Sequence, residues 1–133
     1  GGYCVVSSCP RDCTECDEVE KTCTAECTSA ASCNNVTCPT GWDCTIHCTG
    51  ANACADITCE SDSKCAITCS GTDACETVFC TAACKCDLDC AAGACNTPSC
   101  PTVGNGGNQV QCTTDGTNTS NCDSGHAAGC ATC

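Results

Sequence analysis

Large apolar side chains are scarce in this 133-residue chain. Leucine, isoleucine, valine and phenylalanine together supply 12 residues, and phenylalanine, tryptophan and tyrosine occur once each. Such a share normally marks a disordered chain, because burial at ~25 cal/mol per Å² of apolar surface cannot then offset the entropy of ordering the backbone. An ordinary oil-drop enzyme core is excluded. Positive charge is scarce too: Arg11, Lys21, Lys64 and Lys85 stand against 16 acidic residues, for a net charge of −12. No basic stripe exists to displace counterions from phosphates, so nucleic acid and anionic membranes are poor partners. No run approaches the ~18 apolar residues of a spanning helix, which argues against membrane insertion. The chain does not open on a basic and then apolar leader, and it is expected to be a mature, processed product.

Catalytic vocabulary is equally thin. His47 and His126 are the only histidines and lie in different regions, and no nucleophile elbow, zincin, phosphate-loop or dinucleotide-binding pattern occurs. A non-enzymatic protein without a cofactor is expected. Asp56, Glu60, Asp62, Asp87 and Asp89 offer oxygen ligands, with Asp87 and Asp89 the best placed for a cation, but the repeat does not align them. Their plain role is solubility through self-repulsion.

What the chain does have is cysteine, 25 of 133 residues. This density points to an extracellular, secreted protein. Two sequons, at Asn35 and Asn118, fit that address as glycosylation candidates. Sixteen of the cysteines form a lattice. Its first column is Cys23, Cys44, Cys65 and Cys86, and its second is Cys27, Cys48, Cys69 and Cys90. The third is Cys33, Cys54, Cys75 and Cys95, and the fourth is Cys38, Cys59, Cys80 and Cys100. The step down each column is 21 residues, shortened to 20 in the last step of the third and fourth columns.

Between the columns, cysteine and apolar residues alternate with mostly polar ones, as in Cys44-Thr-Ile46-His-Cys48 and Ile57-Thr-Cys59. That is the period of a half-buried strand. Each unit therefore carries two short strands. The connections have turn chemistry: Thr49-Gly50 and Ser70-Gly71 offer positive φ, and Ala53 and Ala74 allow close approach. Pro39-Thr-Gly41-Trp42-Asp43 reads as a polar, exposed turn. The expected fold is all-β, a small disulfide-rich β-solenoid or parallel β-helix of about four 21-residue coils over residues 23–100. Residues 1–22 and 101–133, each Cys-rich and irregular, are expected to be caps or docking segments.

Stacked coils bring equivalent residues ~4.8 Å apart, within reach of a disulfide. Pairing inside a coil, across a thin core, is equally open. A metal-thiolate cluster is the weaker alternative, since the chain has a single CxC, Cys84-Lys85-Cys86, and no adjacent cysteines. Cys84 fits no column and is inserted where other copies have Asp43 and Ser63. Because 25 is odd, at least one sulfur stays unpaired within a monomer, and Cys84 is the candidate odd or intermolecular thiol.

The outward residues before the fourth column run Thr37, Thr58, Phe79, Ser99, and those after the first run Thr24, Thr45, Ala66, Asp87. This Thr/Cys texture over residues 23–100 resembles the disulfide-rich β-helical antifreeze proteins of insects, whose coils are shorter. The resemblance implies ice binding as an alternative function. The leading expectation is a secreted structural subunit that self-assembles, as a homo-oligomer or filament, into a fibre or surface coat. Phe79, Trp42 and Tyr3, placed outside the core, are candidate contacts for neighbouring copies.

Overall fold

The computed structural model describes residues 8–60, 63–81, 83, 85–99, 113–114 and 120–125. Cys84, Cys100, Asp62, Asn118, His126 and Tyr3 lie outside them. The described residues contain strands and turns and no helix.

Eleven strands run in chain order: β1 (Glu15–Asp17), β2 (Thr22–Cys27), β3 (Cys33–Cys38), β4 (Asp43–Cys48), β5 (Cys54–Cys59), β6 (Lys64–Cys69), β7 (Cys75–Phe79), β8 (Lys85–Cys90), β9 (Cys95–Ser99), β10 (Thr113–Thr114) and β11 (Ser120–Gly125). They form two sheets. Sheet A has the order β1-β2-β4-β6-β8-β11-β10, and sheet B the order β3-β5-β7-β9. Within the repeat every pairing is parallel and follows the sequence period: Cys23 stands beside Cys44, Cys44 beside Cys65 and Cys65 beside Cys86. Alternate strands thus belong to opposite sheets, and the chain winds as a β-solenoid of three turns from β2 to β8.

The core is a single file. From sheet A it takes Ala25, Ile46, Ile67 and Leu88, from sheet B Val36, Ile57 and Val78, all at most 2% exposed. Each fully buried isoleucine or valine contributes about 1.5–3 kcal/mol, too little in sum for a chain of this length, and cysteines flank the file on both sides.

Sheet A strands alternate cleanly between buried and outward residues. Sheet B strands do not. In β3 and β5 two successive residues, Asn34-Asn35 and Ala55-Asp56, point away from the core between two buried ones. Strict alternation would have turned Cys33 and Cys54 outward. A bend repeated at the same place in each rung brings them in, and repetition keeps the ladder continuous.

The corner between sheets A and B corrects the expected glycine chemistry. The residues at positive φ are Ala31 (56°), Asn52 (54°), Asp73 (50°) and Gly93 (74°), one per coil. Gly50 and Gly71 serve close packing instead: a Cβ on Gly50 would lie 2.5 Å from the Thr28 carbonyl oxygen, and one on Gly71 would lie 2.5 Å from that of Gly50. Hydrogen bonds continue up this corner, as in Ala31 N–H to Asn52 O at 2.9 Å and Asn52 N–H to Thr72 O at 3.0 Å.

Sheet A is covered at both ends of the repeat. β1 lies antiparallel on β2, with the Thr14 N–H donating to Thr24 O at 2.7 Å. The acidic run forms its turn, because Asp17 Oδ1 accepts from the Val19 and Glu20 N–H groups, both at 2.9 Å; a side chain bonding its own backbone this way is a turn device. At the other end β11 lies antiparallel on β8 and carries β10. Sheet B differs: among the described residues no strand pairs with the outer side of β3 or of β9.

Candidate functional surfaces and the sulfur lattice

The disulfides take neither the stacked-column route nor the cross-core route alone. Within the repeat each joins one lattice column to the next along the chain, across a corner. Second-column sulfurs bond the third column in Cys27–Cys33, Cys48–Cys54, Cys69–Cys75 and Cys90–Cys95, with Cα–Cα distances of 5.8–6.0 Å. Fourth-column sulfurs bond the first column of the following coil in Cys38–Cys44, Cys59–Cys65 and Cys80–Cys86. Cys23 has no preceding coil and bonds Cys13, while Cys9 bonds Cys16. Each corner from β2 to β9 is thereby clamped. Short closed loops of this size contribute about 2 kcal/mol each on the chain-entropy treatment.

The 18 cysteines whose side chains are described are all bonded in these pairs. Several sulfurs nevertheless crowd together, for instance Cys27, Cys48 and Cys54 within 4.8 Å of one another. A bonded sulfur is not the thiolate that binds zinc.

Asp43 stands beside Lys64, and Lys64 beside Lys85. Trp42 and Ser63, which precede the first two of these, are interior residues. Ser63 is fully buried, its Oγ donating to the Glu60 carbonyl at 2.6 Å.

Trp42 is the clearest correction. It is 1% exposed, not a surface aromatic, with Lys21 Nζ 5.3 Å from its ring centroid. Gly41 at φ 82° and the Trp42 N–H bond to Pro39 O at 3.1 Å fold the turn that carries the indole into the buried cluster. The hydropathy of Pro39-Thr-Gly41-Trp42-Asp43 carries no trace of that. Phe79 does face outward, 47% exposed on β7.

The outer face of sheet A carries His47, whose Nδ1 lies 2.8 Å from Glu26 Oε1, both side chains well exposed. Asp87 and Asp89 share this face, whereas Asp56 sits on sheet B and so stands apart from them. The outer face of sheet B holds the column Thr37, Thr58, Phe79, Ser99 and, beside it, Asn35, Asp56, Thr77, Thr97. The second of these columns was not legible in the spacing, because it depends on the bend. Asn35 is exposed on β3, with its amide nitrogen turned toward Asp56 Oδ2 at 3.3 Å.

No helix of the described residues is long and apolar enough to cross a membrane. Compared with protein-family models, with curated proteins and with solved structures, the chain matches none.

Proposed function

We propose that this chain is a secreted, non-enzymatic structural protein that self-assembles into an extracellular fibre or surface coat. One contrast carries the reading: sheet A ends on the short antiparallel strands β1 and β10, of 3 and 2 residues, whereas sheet B ends on the longer repeat strands β3 and β9, of 6 and 5 residues, which have no described partner on their outer sides. An uncovered strand edge presents unpaired donors and acceptors and is a ready template for another chain. Because β1 and β11 already cover the repeat strands β2 and β8 of sheet A, copies meet through the edges of sheet B rather than by stacking whole rungs. The disulfide density fits an oxidising exterior, and exposed Asn35 is the glycan acceptor of this reading. Sedimentation and electron microscopy of the non-reduced protein test it. Concentration-dependent oligomers or filaments are the expected result, and monomer at every concentration would overturn it.

A second reading, ice binding, rests on a different observation. Five of the eight outer residues in the two sheet B columns are hydroxyl-bearing, Thr37, Thr58, Ser99, Thr77 and Thr97, held in register by parallel pairing. Thermal hysteresis and ice shaping, both abolished by Thr58→Lys, would support it. Their absence in the unmodified protein would remove it.

A further inference from the structure

Four disulfides stack along the corner where sheet A strands end and sheet B strands begin: Cys27–Cys33, Cys48–Cys54, Cys69–Cys75 and Cys90–Cys95. These rungs are in reach of one another. Cys27 Sγ lies within 4.8 Å of both sulfurs of Cys48–Cys54, Cys48 Sγ within 4.8 Å of both sulfurs of Cys69–Cys75, and Cys69 Sγ within 4.8 Å of both sulfurs of Cys90–Cys95. On the opposite corner, among the described residues, only Cys80 stands in this relation, to Cys59–Cys65. Seven cysteines of the first stack are buried, and the eighth, Cys95 on the last rung, is half-buried.

We propose that this corner is a relay for thiol–disulfide exchange, entered by an external low-molecular-weight thiol at Cys95 and delivering a free thiol at Cys33. Exchange requires a thiolate within reach of a disulfide sulfur. The external thiolate attacks Cys95 Sγ, forms a mixed disulfide there and expels Cys90 as thiolate. Cys90 then bonds Cys69 and expels Cys75. In the same way Cys75 bonds Cys48 and expels Cys54, and Cys54 bonds Cys27 and expels Cys33, which takes up a proton. Each step makes one S–S bond and breaks one, with no net oxidation or reduction.

The products are links between rungs, Cys69–Cys90, Cys48–Cys75 and Cys27–Cys54. Cys69 and Cys90 are register neighbours on β6 and β8, and parallel neighbours ~4.8 Å apart are within the span of a disulfide. Burial disfavours the thiolate, so passage is slow and is promoted by alkaline pH. The opposite corner interrupts the path at Cys38. Its sulfur lies 3.6 Å from the Trp42 carbonyl oxygen and 3.8 Å from that of Lys64, acceptors that hold an S–H in place once the disulfide is opened.

The test is Cys95→Ser, which leaves Cys90 as a thiol. The variant is equilibrated at mildly alkaline pH, acid-quenched, alkylated with N-ethylmaleimide and mapped by peptide mass spectrometry. The relay predicts most of the label on Cys75, Cys54 and Cys33, together with a Cys69–Cys90 link. Label confined to Cys90 overturns it. Cys44→Ser, which leaves Cys38 as a thiol, is predicted to keep its label at Cys38. Equal scrambling from Cys38 would mean that exchange follows unfolding, and also overturns the relay. Should Cys95→Ser fail to fold, the unmodified protein treated with limiting 2-mercaptoethanol gives a second reading. A mixed disulfide at Cys95 with label at Cys33 supports the relay, and label at Cys90 alone overturns it.

Discussion

The Thr28 carbonyl oxygen lies 2.5 Å from the point where a Cβ on Gly50 would stand, and Gly50 stands in the same relation to Gly71 one coil further on. Real Cβ atoms do not approach a backbone oxygen so closely. These two positions set how tightly successive coils nest at the disulfide-clamped corner. Gly50→Ala is therefore expected to force a backbone shift and to cost about 1–3 kcal/mol, read as a lower thermal midpoint at unchanged disulfide content.

Ala31 occupies the left-handed region, at φ 56°, where Asn52 and Asp73 stand in the next coils. Asparagine and aspartate tolerate that conformation better than alanine. Ala31→Gly or Ala31→Asn is expected to stabilise the protein by about 0.5–1 kcal/mol. Thermal unfolding at one pH and protein concentration measures it, and a fall in midpoint would contradict the assignment.

Trp42 is the one tryptophan and is buried. Its emission is expected to be blue-shifted and poorly quenched by iodide in the native protein, and Trp42→Ala is expected to cost about 3–5 kcal/mol. Lys21→Ala, which removes the cation over the ring, should cost no more than about 1 kcal/mol, since that contact is near the surface.

Phe79 is exposed on the outer face of sheet B. Phe79→Ser should change stability by less than about 0.5 kcal/mol while weakening self-association in sedimentation. Unchanged association would remove Phe79 from the assembly surface.

Residue spacing made the repeat legible because strand and turn lengths are imposed directly on the chain: Cys23, Cys44, Cys65 and Cys86 are spaced by one coil and pair in register. Alternation likewise placed Ile46 and Ile57 inward. Three features escaped for local reasons. The bend at Asn34-Asn35 breaks the two-residue period, so the outer column that includes Asn35 and Thr77 was hidden. Gly50 is required by a neighbour in another coil, a contact that sequence position does not reveal. Trp42 is folded inward by its turn, against the polarity of the residues around it. The disulfide pairing stayed open because parity and column spacing are the same for every connectivity, and only the facing of the second and third columns across a corner selects one.

The central claim is that each corner of the solenoid is closed by its own disulfide. Peptide mapping of the non-reduced protein, digested at acid pH to suppress exchange, tests it directly. The predicted links are Cys27–Cys33, Cys38–Cys44, Cys48–Cys54, Cys59–Cys65, Cys69–Cys75, Cys80–Cys86 and Cys90–Cys95. A native map dominated by links down the columns, such as Cys27–Cys48 or Cys44–Cys65, would contradict the account.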